Sequence, residues 1–312
     1  MTDKTPLVTV IMNCRNSAKY LRGAIDSVYA QTYQNFEVVF LDNRSEDGSA
    51  DIAKSYDKRL KYHLSDSFVP LYNARNQALA HCQGEFIAFL DCDDLWMPEK
   101  LERQIPLFSD PKVGLVYSDS IFFTNEKDLH KNYDTKTMTH GACFNELLQS
   151  YHLDIETVVI RKSVIDEHSL TFDATLDCVG DMDFFLRLAR ITELKGIPLA
   201  LAKWRIHSES LTSTKQKQFQ TEIIYLAEKI ATMTEGDSMA QLTLSKMKRN
   251  ARIKKGLYLA ADEDHKDLKV LMSECEGLTK LALYGIRLIP AAVVRHALSR
   301  NTHTRIKSSA ET

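Results

Sequence analysis

Several common signatures are missing from this chain of 312 residues. With only 11 Gly and 7 Pro, collagen-like and low-complexity architectures are poor fits, and regular elements joined by short loops are expected. The six cysteines form no C-x-x-C pair and have no zinc-type spacing with His, so they read as buried or incidental thiols of a reducing compartment. No G-x-G-x-x-G follows the first apolar run, and no G-x-x-x-x-G-K-[ST] occurs, which argues against a dinucleotide dehydrogenase and a P-loop NTPase. Without a G-x-S-x-G elbow, an α/β-hydrolase is a poor fit as well. No run reaches the ~20 apolar residues of a membrane span. Met1–Pro6 shows neither a basic n-region nor an apolar run of signal-peptide length, so a cytoplasmic location is expected.

What is present is a chain long enough for two average domains, or for one larger α/β domain with an appendage. Hydrophobic residues make up 44% of it and charged residues 26%, enough to bury a substantial core. The net charge of −2 conceals an asymmetry. Residues 241–312 carry 14 Lys+Arg against 7 Asp+Glu, a net +7, which leaves −9 for residues 1–240. The two parts are expected to meet different partners.

Residues 7–12 and 36–41 are short apolar runs without clean alternation, as in strands buried on both faces. Between them, Tyr20, Leu21, Ala24, Ile25, Val28 and Tyr29 recur at helical spacing over 18–30. Further helices are expected near 48–56, 71–81 and 97–108, and strands near 59–63 and 85–90. This β-α-β-α alternation predicts a parallel, doubly wound sheet with ligands at the carboxyl ends of its strands. Beyond it, 113–122 and 155–161 read as strands, and 142–150 and 181–190 as helices. From about 219 onward only helices are expected, with loops near 235–237 and 262–264. The polar stretch 213–218 reads as the linker, giving domains 1–214 and 215–312.

The sharpest chemical signal is Asp91-Cys92-Asp93-Asp94, three carboxylates at the mouth of a buried strand. Charges that close repel unless neutralised, and Mg²⁺ or Mn²⁺ with a bound diphosphate would neutralise them. The plainer alternative is a solvated acidic turn in which Asp94 or a neighbour caps the following helix.

Val8–Asn13, Leu41–Ser45, Tyr72-Asn73-Ala74-Arg75-Asn76 and Asp91–Asp94, in that order, resemble the inverting GT-A glycosyltransferases of family 2, a large bacterial group that builds surface polysaccharides. The resemblance covers about residues 6–212. It implies a GT-A nucleotide-sugar-binding fold, here with a C-terminal helical appendage, a Mn²⁺ or Mg²⁺ cofactor, a nucleotide-sugar donor and a glycan or lipid-linked acceptor. Asn13, Asp42, Arg75 and Asp91 would bind the nucleotide. Asp42 would accept the base N–H, which suits uracil, or would serve only as a turn residue. Arg75 would lie near base or phosphates, or would be a solvated helix-face arginine. Asp93 would ligate the metal. Asp181 matches the family's catalytic base within Gly180-Asp181-Met182-Asp183, where the usual form has Glu in place of Gly180. Its helix-start position would lower its pKa. Asp183 is a lesser candidate for the base. Trp204–Leu211 resembles the end of the catalytic domain and makes His207 a candidate metal ligand or phosphate donor, against a structural histidine.

The tail adds six positive charges within 245–255 and an apolar stretch over 281–294 interrupted by Arg287 and Pro290. Such a segment would lie on an anionic membrane as a peripheral element. The alternative is an oligomerisation or packing helix. Nucleic acid is not expected, because aromatics are not interleaved with the basic residues. Two other functions are weighed against the transferase: a non-catalytic nucleotide-sugar-binding or scaffold subunit, left open by Gly180, and a nucleotidyltransferase.

Overall fold

The apolar runs form the middle of the sheet. A computed structural model describes residues 5–124, 127–132, 138–207 and 214–298. Strands β1 (Val8–Cys14) and β2 (Phe36–Asp42) are buried throughout except for Asn13, and β4 (Phe86–Phe89) is buried throughout. Helix α1 (Ala18–Tyr29) turns Leu21, Ala24, Ile25 and Val28 inward, one face at i, i+3, i+4 and i+7. Each such buried Leu, Ile or Val contributes about 1.5–3 kcal/mol over leaving it in water. Helix α2 (Ser49–Lys54), strand β3 (Leu60–Leu64) and helix α3 (Leu71–Leu79) complete the alternation. Strands β3, β2, β1 and β4 are parallel neighbours in that order. Their register aligns Cys14 with Asp42 and Ile11 with Phe89, so the loops after β1, β2 and β4 emerge on one edge.

The sheet is mixed, however, not parallel throughout. Beyond β4 the order continues β8 (Val159–Arg161), β6 (Val113–Phe123), β9 (Glu193–Arg205) and β5 (Leu95–Trp96), with β7 (Asp128–Lys131) paired to β6. Strand β8 runs antiparallel to both β4 and β6, while β6 and β9 are parallel. The expected strand over 155–161 is shorter, because Ile155–Thr157 forms a 3₁₀ turn first. The helix expected over 97–108 is α4 (Lys100–Gln104) followed by a 3₁₀ turn over Ile105–Ser109, since Pro106 offers no N–H to continue the α pattern. Strand β9 has no counterpart among the elements expected from sequence. Gly196 and Pro198 interrupt its pattern, and the structure absorbs Pro198 in a bulge, where the register jumps from Ile197↔Ser118 to Ala200↔Asp119. Helices α5 (Phe144–Gln149), α6 (Lys162–Glu167) and α7 (Gly180–Ala189) cover the remainder.

The chain divides into two compact units between Ile206 and His207, ahead of the polar stretch at 213–218, of which residue 213 lies outside the described residues. The second unit is helical: α8 (Gln216–Met233), α9 (Ser238–Ala261), α10 (His265–Ser273), α11 (Gly277–Arg287) and α12 (Ala291–Leu298). Its two acidic loops cap helices. Asp237 accepts from the N–H groups of Met239 and Ala240, and Asp264 from that of Asp267. Leu259, Leu268, Leu271, Leu283 and Ile286 form its core. Gly256 lets α11 approach α9, since a Cβ there would stand 2.3 Å from Leu283. No single described helix is long and apolar enough to cross a membrane. Only together do α11 and α12 reach that composition, and they meet at a bend of 109°.

Candidate active site

The loops at the carboxyl edge of β1, β2 and β4 carry most of the residues singled out from sequence. Asn13 lies one residue before the end of β1. Its Nδ2 is buried without a hydrogen-bond partner among the described residues, a donor whose cost of about 1–3 kcal/mol a ligand acceptor would relieve. Asp42 ends β2 and is only 1% exposed. Its Oδ1 accepts from the Ser45 N–H at 2.7 Å and its Oδ2 from the Tyr62 hydroxyl at 2.7 Å. Asp42 therefore shapes its own loop, and a base N–H would have to use a remaining lone pair.

Arg75 is not a solvated helix-face residue. It is 3% exposed, and its Nη2 donates to Asp91 Oδ1 at 2.7 Å. Its guanidinium lies 5.2 Å from the Tyr72 ring centroid. Burial works against its charge, but Asp91, Tyr72 and Asp181 outweigh that and raise its pKa above the ordinary value. Asp91 and Asp93 are both partly exposed, whereas Asp94 is buried.

The acidic turn differs from the helix cap weighed as its plainer alternative. Asp94 Oδ1 accepts from the Arg205 N–H at 2.7 Å, and Arg205 Nε donates to the Asp93 carbonyl at 2.7 Å. The end of β9 thus clamps the carboxylate loop. Burial, then Glu156, Asp93 and Asp91, push Asp94 well above the usual carboxylate range. Cys92 donates to the Asn13 carbonyl at 3.2 Å and ties this loop to β1.

Asp181 sits in the first turn of α7 and is partly exposed. The Tyr72 hydroxyl donates to its Oδ1 at 3.1 Å. The helix start does not lower the pKa of Asp181. Burial raises it, outweighing Arg75, the Met182 N–H and Tyr72, which pull it down. Asp183, two residues on, is fully buried, and its Oδ2 accepts from Arg187 Nε at 2.9 Å and Nη2 at 2.7 Å. It fastens α7 internally, while Asp181 faces Arg75 and Asp91. Helix α3 therefore joins the Asp91 arm to Asp181 through Arg75 and Tyr72, neighbours at i and i+3.

Among the described residues, no three His, Cys, Asp or Glu side chains cluster as a protein-only metal site would require. The donor set at Asp91 and Asp93, two partly exposed carboxylates beside the orphan Asn13 amide, fits a hard cation held jointly with a ligand's phosphates. His207 is the first residue of the second unit, and the rest of its motif, 208–211, lies outside the described residues.

The family model for glycosyl transferase family 2 matches residues 9–168, half of the chain. The chain belongs to glycosyl transferase family 2. It is 37% identical over 222 residues to the putative teichuronic acid biosynthesis glycosyltransferase TuaG of Bacillus subtilis, spanning 70% of this chain and 86% of the relative. Over 221 residues it is 28% identical to the Escherichia coli UDP-Glc:alpha-D-GlcNAc-diphosphoundecaprenol beta-1,3-glucosyltransferase WfgD, spanning 69% and 83%. Its fold resembles S. aureus TarS 1–349 in complex with UDP-GlcNAc, at TM-score 0.66 and 16% identity over 94% of this chain and 92% of that one. It also resembles the mannosyltransferase PcManGT of Pyrobaculum calidifontis in complex with GDP-Man and Mn²⁺, at TM-score 0.63 and 17% identity over 99% and 85%. The transferase thus has a GT-A-type α/β fold with C-terminal helices.

Sequence reasoning passed over several residues at the transferase's carboxylate cluster. Tyr72 stood within a quoted motif but received no role. Asp154 accepts from Ser120 Oγ at 2.6 Å and from Asn132 Nδ2 at 2.9 Å, and burial, the largest cause, pushes its pKa up to about 6. Glu156, buried in the adjoining 3₁₀ turn, also lies well above its ordinary value, burial first and Asp154 next. A carboxylate every second residue, at 154 and 156, was the available signal.

Proposed function

We propose that this family-2 transferase is a metal-dependent inverting enzyme that moves a sugar from a UDP-sugar to a hydroxyl of a glycan or lipid-linked acceptor in surface polysaccharide synthesis. The observation that carries this reading is the α3 bridge, with Arg75 on Asp91 at one end and Tyr72 on Asp181 at the other. It ties the carboxylate loop after β4, which would take a diphosphate through a cation, to the candidate base on α7. The UDP-sugar in TarS, the UDP-Glc named for WfgD and the Mn²⁺ in PcManGT support the donor and cation classes.

In this reading Asn13 and Arg75 orient the nucleotide, Asp42 meets its base, and Asp91 its ribose or diphosphate. Asp93 would hold Mn²⁺ or Mg²⁺ together with the donor's diphosphate. The cation, when bound, supplies positive charge to the departing nucleoside diphosphate. Asp181 accepts the proton of the acceptor hydroxyl as that oxygen attacks the anomeric carbon and the diphosphate leaves, so one displacement inverts the centre. The raised pKa of Asp181 makes it a stronger base than an ordinary carboxylate.

The second unit supplies a surface for an anionic bilayer on the cytoplasmic side. Leu278, Leu281 and Leu288 recur along one exposed face of α11 and its end, opposite the packed Leu283 and Ile286. Residues 277–298 contain Lys280, Arg287 and Arg295 and no carboxylate. The diphosphoundecaprenol acceptor named for WfgD gives such a surface a purpose.

The test is a thermal-shift screen of UDP- and GDP-sugars with Mn²⁺, followed by nucleoside diphosphate release in the presence of polyprenyl-diphosphate-linked sugars. Asp93→Asn should abolish metal-stimulated release while circular dichroism stays unchanged. Full metal-dependent release by this variant would sink the metal assignment.

A further inference from the structure

Gly180 stands where the resemblance expects Glu. A Cβ built there would lie 2.5 Å from Cδ2 of Tyr72 and 2.6 Å from Cε2 and Cγ, inside any real contact distance. The obstacle is the flat of an aromatic ring, not the tip of a flexible chain. Tyr72 is 2% exposed and cannot swing away. Its ring stacks on Phe172 at 5.7 Å and 23°, and Arg75 lies against it. Phe172 is fixed in turn by Asn76, which exchanges two hydrogen bonds with its backbone at 2.8 and 2.9 Å. From this seat the Tyr72 hydroxyl reaches Asp181 Oδ1 at 3.1 Å. Gly180 is therefore the space that admits the ring, and the ring carries the donor.

We propose that Tyr72 is the positioning residue of Asp181, seated on Gly180 in the place where a relative with Glu would have a side chain. The inference rests on Asp181 being the base. In the ionised state the phenol donates to Oδ1 and fixes one carboxylate oxygen, leaving Oδ2 to accept from the acceptor hydroxyl. Tyr72 stays a donor throughout, because burial and Asp181 raise its own pKa well above the ordinary value. The charged and titratable groups facing Asp181 are Tyr72 and Arg75 from α3, Asp91 from the loop after β4, and Asp154 and Glu156 from the segment before β8. Of these only Arg75 and Tyr72 favour its ionised form.

The test is Tyr72→Phe, which keeps the ring, its stacking and its seat on Gly180. Aspartate-selective ¹³C-carboxyl NMR, with the Asp181 signal assigned by its loss in Asp181→Asn, reads the titration directly and needs no substrate. The Asp181 midpoint should rise by about one pH unit on loss of a charge-assisted donor. The acid limb of the kcat profile should move with it, while KM for the donor stays within about twofold. A purely structural tyrosine would move neither, and an unchanged midpoint in Tyr72→Phe overturns the inference. Gly180→Ala probes the seat. It should displace the ring and shift the Asp181 midpoint in the same direction, and a folded Gly180→Ala with wild-type midpoint and turnover would equally overturn it. If Asp181→Asn retains full turnover, the assignment of the base fails, while the titration still decides whether Tyr72 holds this carboxyl.

Discussion

The two units use charge in opposite ways. In the first, Asp94, Glu156 and Asp183 are buried and Asp154 and Asp181 partly so, all but Glu156 with specified partners, and burial raises four of these carboxylates above their ordinary values. In the second, the ion pairs are exposed: Lys248–Glu228 has side chains 31% and 52% exposed, and Lys217–Asp262 45% and 55%. Buried carboxylates crowded at a strand edge cost stability unless something else requires them, and the site reading supplies that requirement. Exposed pairs on helices cost little and hold little. A net charge near zero is thus the sum of −9 over residues 1–240, which hold the crowded site carboxylates, and +7 over residues 241–312.

Substitutions can break or sharpen this contrast, and the largest effect belongs to the first unit. Asp183→Ala should strand Arg187 and lower the unfolding free energy by about 3 kcal/mol in urea titration. A cost below that of an exposed pair would show that burial of Asp183 matters little. Next comes the apolar face of the second unit. Leu281→Glu with Leu288→Glu should weaken co-sedimentation with phosphatidylglycerol vesicles by about tenfold, at about 1.4 kcal/mol per tenfold, and neutral phosphatidylcholine vesicles should bind the wild type poorly. Equal binding by variant and wild type would remove the membrane role. A change from dimer to monomer in the variant, with no vesicle binding by either protein, would assign the face to self-association instead.

A smaller, pH-dependent effect is expected at Asp154. Its folded pKa of about 6 exceeds its unfolded value, so the folded state binds its proton more tightly. The stability it contributes is present at low pH and is lost as pH rises through about 4 to 6. Asp154→Asn, whose amide oxygen can still accept from Ser120 and Asn132, should gain stability relative to wild type between pH 4.5 and pH 8. A difference independent of pH would contradict the burial assigned to Asp154. The smallest effect is Lys248→Ala, which should change stability by less than about 0.5 kcal/mol.

How much of this was legible in the sequence follows from where the partners lie. The parallel half of the sheet was readable because its strands are continuous apolar runs and its helices are periodic. The loops 235–237 and 262–264 were readable because their acids cap the next helices. Strand β9 was not, because Gly196 and Pro198 break its pattern and only the bulge opposite Ser118 and Asp119 accommodates them. Asp91, Asp93 and Asp181 could be named from motifs. The state of Asp181 could not, because its helix start is a local signal, whereas burial and the Tyr72 hydroxyl come from 109 residues away. Asp94 looked like a local cap but is held by Arg205, 111 residues on.

The most direct test of the central claim is turnover by Asp181→Asn, measured as nucleoside diphosphate release with the donor and acceptor selected above. The kcat of Asp181→Asn should fall by about a thousandfold, within the range for removing a general base, with the UDP-sugar thermal shift retained. Turnover within a few-fold of wild type would contradict the assignment of Asp181 as the base.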